Sequence, residues 1–126
     1  MRDTQDFSYY YGYEAEQFSF YRIPKLLVMD ECFRDISTDA KLLYGLMLDR
    51  MSLSIKNGWT DDQGRVYIYF PIEEVMELLH CKSEKATRLM AELDSKKGIG
   101  LIERVRQGQG KPSIIYVKNF VSRSPP

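Results

Sequence analysis

Apolar positions in the second half of the chain first follow a helical repeat and then switch to alternation. Ala86, Leu89, Met90 and Leu93 fall at i, i+3, i+4 and i+7, so they form one stripe that must be buried. At about 100° per residue, Glu84, Arg88, Ala91 and Ser95 point the opposite way, with Lys85, Thr87 and Glu92 on the flanks. Upstream, Ala40, Leu43, Tyr44, Met47 and Met51 make a second stripe. Leu42, Leu46 and Leu53 widen it, which predicts a long central helix covered on more than one side. Ser37-Thr38-Asp39 supplies N-cap chemistry for this helix, and the run from Lys56 to Gly64 breaks it. Arg65 to Phe70 then alternates Val66, Ile68 and Phe70 inward with Arg65, Tyr67 and Tyr69 outward, the period of a strand.

Pro71 suits the first position of another helix, Glu73 and Glu74 suit its positive end, and Val75, Leu78 and Leu79 give its apolar side. His80-Cys81-Lys82 is a three-residue joint, after which Ser83 is placed to cap the next helix. Gly98 and Gly100 allow a left-handed close to that helix. Residues 101 to 106 and 114 to 118 are strands, separated by the glycine-bearing tip Gln107 to Ser113. The order helix, strand, helix, helix, hairpin predicts an α+β fold, a winged helix-turn-helix. The tip is no phosphate-cradling glycine loop, because it joins two strands and opens no helix.

The aromatic-rich run from Phe7 to Tyr21 lacks helical periodicity and reads as extended. Residues 1–17 are expected to form an N-terminal arm in which Tyr9, Tyr10, Tyr11 and Tyr13 serve dimerisation, with an N-terminal strand folding back on its own domain as the alternative. Residues 18–120 form the winged-helix domain. Residues 121–126 carry no packing pattern, end in two prolines, and read as the start of a linker to a C-terminal domain absent from this sequence.

A chain of 126 residues with 44% hydrophobic and 29% charged positions is an ordinary globular domain, neither disordered nor membrane-like. No apolar run approaches the roughly 20 residues of a bilayer span and no signal-peptide core follows Met1, so the expected location is the cytoplasm. The zero net charge hides a division: residues 1–80 hold 8 Lys and Arg against 14 Asp and Glu, and residues 81–126 hold 10 against 4. A basic surface on an acidic body suits a polyanion, although two halves neutralising each other internally give the same sums. Cys32 and Cys81 lack zinc or disulfide spacing, and the lone His80 removes histidine-based metal clusters. No cofactor is expected. Asp61, Asp62, Glu73 and Glu74 sit where a turn and a helix start use them, so nothing meets the criteria for catalysis and no enzyme is expected.

The segments EAEQFSFYRIPK at 14–25, AKLLYGLMLDRMSLSIKNGWTDDQGRVYIYF at 40–70 and KKGIGLIERVRQGQGKPSIIYVKNF at 96–120 closely resemble the N-terminal domain of RepA_N-type plasmid replication initiator proteins of Gram-positive bacteria. That resemblance implies binding to repeated sites in a plasmid origin, as a dimer, to initiate plasmid DNA replication. It also implies a separate C-terminal domain that engages host replication proteins. On this reading Lys82, Ser83, Lys85, Thr87 and Arg88 enter the major groove, with Arg88 or Lys85 the candidates for guanine O6 and N7. Lys96, Lys97, Arg104, Arg106, Lys111 and Lys118 hold phosphates, and the wing tip reaches the minor groove. The bland alternative for Arg88 is a surface pair with Glu84 or Glu92. A winged-helix transcriptional regulator and a protein-binding adaptor share the fold and stand as alternative functions.

Overall fold

The computed structural model describes residues 6–12 and 19–121. Along them lie α1 (Lys25–Met29), a 3-10 turn (Glu31–Phe33), α2 (Thr38–Asn57), α3 (Ile72–Leu79), α4 (Ser83–Leu93), β1 (Ile102–Val105) and β2 (Ile114–Val117). This is the expected winged helix-turn-helix. The central helix begins at Ser37, whose hydroxyl oxygen accepts the Ala40 N–H at 3.1 Å, and closes at Gly58 with φ 72°. Ala40, Leu43, Tyr44, Leu46 and Met47 of α2 meet Ala86, Leu89, Met90 and Leu93 of α4 in one core with Ile68, Phe70, Ile102 and Ile115. Leu42 and Leu53 stay 38% and 52% exposed, so the covered side of α2 is narrower than its apolar pattern suggests.

β1 and β2 pair antiparallel from Ile102 opposite Val117 to Val105 opposite Ile114. The stretch from Arg65 to Phe70 is extended and alternates as expected, but it does not form a continuous strand. It joins the sheet through one bridge, in which Ile68 and Ile115 exchange two N–H···O bonds of 2.9 Å. Other local expectations shift by one position. Pro71 is the N-cap of α3 instead of its first helical residue. Ser83 opens α4 without capping it, and Lys82 holds the N-cap place with no side-chain bond. α1 has no counterpart in the sequence pattern, because five residues are too few to display a repeat; it buries Leu27.

Two glycines are required by close approach. A Cβ at Gly45 would lie 2.3 Å from Ile23 Cδ1 and 3.0 Å from the Arg22 carbonyl oxygen, so the segment before α1 crosses α2 there. At Gly98 a Cβ would lie 2.0 Å from the Glu92 oxygen and 2.3 Å from that of Ala91. Gly98 therefore lets the chain fold back onto the end of α4, and the left-handed conformation belongs to Gly100 at φ 91°. Residues 6–12 are exposed, including Tyr9, Tyr10 and Tyr11, whereas Tyr13 and Phe18 lie outside the described residues.

Gly98→Ala is expected to lower stability by about 1–3 kcal/mol, read as a lower urea midpoint, because the obstacle is backbone that side-chain rotation does not relieve. Tyr44 gives a pH signature. Its hydroxyl donates to the Lys118 carbonyl, and burial pushes it up from 10.0 to about 12 against the opposing pull of a hydrogen bond from the Phe120 backbone. Folding thus favours the neutral phenol: its contribution is full below the unfolded value of 10.0 and is lost as pH rises through about 12. Tyr44→Phe is expected to flatten that part of the alkaline fall in urea midpoint.

Candidate nucleic-acid interface

α3 and α4 meet through a turn that needs a left-handed residue, supplied by His80 at φ 53°. Its successor Cys81 donates its N–H to the Met76 carbonyl at 3.1 Å and packs half-buried on the core. That turn presents α4 edge-on. Its inner stripe is buried, while Glu84, Thr87 and Arg88 are exposed and Ala91 is half-buried between them.

The flank of α4 facing α2 is tied at two points. Lys85 Nζ lies 2.7 Å from Asp39 Oδ2, and Glu92 accepts the Ser37 N–H at 2.7 Å and the Ser37 hydroxyl at 2.8 Å. Both contacts go to the first turn of α2. In a capping box the third helical residue supplies a Glu or Gln to the N-cap N–H; here that place holds Ala40, and Glu92 supplies the carboxylate from 55 residues away. Glu92 is therefore engaged, and Arg88 forms no ion pair with it or with Glu84 among the described residues. Arg88 projects free. Lys85 instead sits on the flank beside Asp39, apart from the outward face.

At the far end of α4, Asp94 is buried at 4% exposure, and its carboxylate accepts from Arg104 Nη2 at 3.2 Å. Arg104 joins β1 to α4, so its guanidinium is committed to the fold. Lys96, Lys97 and Arg106 are exposed around the same cleft of about 550 Å³, which Asp94 and Arg104 floor. The wing tip carries exposed Lys111 and is braced by Gln107, whose amide donates to the Pro112 carbonyl at 2.9 Å. Lys82 and Ser83 are exposed at the start of α4. Lys118 lies beyond the base of the hairpin, at the end opposite the tip, with Met51 and Arg65. The structure thus groups Lys82, Ser83, Thr87 and Arg88 on α4 and Lys96, Lys97, Arg106 and Lys111 along the turn and wing. It sets Lys85, Arg104 and Lys118 apart.

Asp61 of the turn and Glu74 at the α3 start have structural partners, whereas Asp62 and Glu73 are exposed. Desolvation opposes ionisation of Asp61, but hydrogen bonds from the Arg65 and Gln63 backbones, the Arg65 side chain and Tyr116 outweigh it and hold the carboxyl well below the usual range. Glu74 pairs with Arg50, which also lies 4.9 Å over the Phe70 ring. Among the described residues no group of His, Cys, Asp and Glu is placed to hold a metal ion.

Residues 19–125 match the family model RepA_N, described as Replication initiator protein A (RepA) N-terminus. The chain belongs to the RepA_N family. A curated relative from Lactobacillus helveticus, named 41 kDa protein, is 35% identical over 99 residues, covering 76% of this chain and 27% of the relative. The chain thus spans little more than a quarter of that relative's length. Two solved structures share this RepA_N fold closely. One, described as the N-terminal domain of a DNA binding protein, is 35% identical with a TM-score of 0.72, over 90% of this chain and 85% of the other. The second, described as a Rep–DNA complex, is 34% identical with a TM-score of 0.73, over 93% and 88%.

Asp39, Glu92 and Asp94 are the residues of this RepA_N site that periodicity does not reveal. One signal for Glu92 was present in the sequence: a serine N-cap with Ala40 three residues on lacks the local carboxylate of a capping box, which leaves the Ser37 N–H open to a group from another segment. Arg104→Ala is expected to lower stability by about 1–3 kcal/mol in urea unfolding, because it leaves the buried Asp94 carboxylate without its partner and removes one of the ties at the wing base.

Proposed function

We propose that this domain binds double-stranded DNA sequence-specifically at plasmid origin repeats and thereby initiates plasmid replication, without catalysis of its own. The observation that carries this reading is the outward face of α4, where Thr87 and Arg88 stand exposed beside the small Ala91 while the flank facing α2 is occupied by the fold. Such a face enters a major groove closely, and an unpartnered arginine suits guanine O6 and N7. Lys96, Lys97, Arg106 and Lys111 hold flanking phosphates, which position the domain and set its salt dependence. Membership in the RepA_N family and similarity to a structure described as a Rep–DNA complex support replication over the transcriptional-regulator alternative.

The domain acts in the cytoplasm, and among the described residues no helix is long and apolar enough to cross a membrane. It works as a homodimer, supported by the exposed aromatic surface of Phe7, Tyr9, Tyr10 and Tyr11. Host replication proteins are engaged through a further part of the initiator.

Titrating variants against the preferred duplex and a scrambled one at several salt concentrations tests this function. Arg88→Ala is expected to cost about 1–3 kcal/mol on the preferred duplex and little on the scrambled one. Lys111→Ala is expected to weaken both about equally and to reduce the salt slope by about one. Unchanged selectivity in Arg88→Ala removes Arg88 as a base-reading residue and counts against α4 as the reading helix.

A further inference from the structure

α4 carries two carboxylates, and the structure treats them differently. Glu92 is consumed by Ser37 of α2. Glu84 is exposed on the outward face, one turn before Arg88, and forms no ion pair among the described residues. A negative charge on a helix face that meets a polyanion weakens binding to any duplex, so its position matters. Arg88 and Thr87 are donors or neutral groups there. Glu84 alone is purely an acceptor.

Resting on the groove reading above, we propose that Glu84 is a specificity-determining residue that accepts a hydrogen bond from the exocyclic N4 amine of a cytosine. The major-groove edge of cytosine offers a donor, and a carboxylate is its matching acceptor. Residues near the start of a recognition helix are those that reach base edges, and Glu84 is the second residue of α4. Four residues of helix rise about 6 Å, against about 3.4 Å per base step, so Glu84 and Arg88 address bases roughly two steps apart. The two readers then have opposite demands. Arg88 selects acceptors, and Glu84 selects a donor while penalising every sequence that offers its carboxylate none.

The competing role is local: Glu84 is the acidic residue in the first turn of α4, where the helix end is positive and Lys82 provides no side-chain cap. Base preference separates the two roles. The full chain and its Glu84→Gln, Glu84→Ala and Arg88→Ala variants are each used to select bound molecules from a double-stranded DNA library with a randomised core. Bound molecules are sequenced, affinities for the unselected library are measured, and thermal unfolding is recorded for every variant.

The wild type is expected to enrich a cytosine at one position by about fivefold or more. Glu84→Gln is expected to move the preference at that position toward adenine, whose N6 and N7 match a carboxamide. Glu84→Ala is expected to lose preference there alone and to bind the unselected library a few-fold more tightly as the repulsion disappears. Identical base preferences in all Glu84 variants, with only a lowered unfolding temperature or uniformly weaker binding, overturn the proposal and leave Glu84 a helix-end charge. If Arg88→Ala loses a preference while the Glu84 variants keep all of theirs, the Glu84 assignment falls and the groove reading stands. Absence of any preference in the wild type overturns both.

Discussion

The carboxylate of Glu92 on the N-cap of α2 is the contact on which the placement of this domain's exposed surface depends. The first N–H groups of any helix lack internal partners, and α2 meets that need with a group borrowed from α4. Apolar packing between the two helices is non-directional and tolerates small rotations. Hydrogen bonds from Ser37 to both oxygens of one carboxylate do not. With Lys85 held by Asp39 two turns earlier on the same side, α4 is fixed about its own axis. Which residues face outward is therefore decided by polar contacts on the flank as well as by the buried stripe.

The same contacts sort the charges. A chain with no net charge offers a polyanion little in bulk, so the local distribution governs. Lys85, Arg50, Arg65 and Arg104 are each spent on a carboxylate of the domain itself. Asp94 is neutralised by Arg104, whereas Glu92 keeps its charge on the flank, where Ser37 hydrogen-bonds it. What projects from α4, the following turn and the wing is accordingly mostly cationic: Lys82, Arg88, Lys96, Lys97, Arg106 and Lys111, with the exposed Glu84 on α4 and the half-buried Glu103 on β1 as the acidic exceptions. The asymmetry between the two halves of the sequence survives folding because the pairs that form cancel charge within the body rather than across the exposed face.

Much of this was legible in the sequence, and the limits have physical causes. Elements that carry their own signals, such as the Ser37 cap, the repeat Ala86-Leu89-Met90-Leu93 and the alternation on either side of the wing tip, were readable because local spacing determines them. The direction of Arg88 followed from the same arithmetic. α1 was not readable, being shorter than two helical turns, and residues 65–70 alternate like a strand yet pair with the hairpin only at Ile68. Lys85 and Arg104 resembled free cations because their partners are a matter of tertiary packing: Asp39 is far away in sequence, and Asp94 meets Arg104 only once β1 folds back past Gly98. Spacing along the chain fixes which way a side chain leaves its helix, but not whether another element meets it there.

The wing combines a rigid base with a loosely held tip, and its contacts explain both. At the base, Asp94 grips Arg104 of β1, Ile68 pairs with Ile115 of β2, and Asp61 binds Tyr116 while Arg65 lies 4.7 Å over that ring. These ties reach the hairpin from three different segments. The tip, by contrast, has the Gln107 side-chain bond, the turn bond from Lys111 N–H to the Gly108 carbonyl, and glycines at φ 122° and 80°. A cation such as Lys111 on that tip can adjust to a phosphate at little strain, whereas Arg106 and the Lys96-Lys97 turn stay registered to α4 through the base. Placement is thus set by the buried ties at the base, and the freedom to adapt is left to the exposed tip.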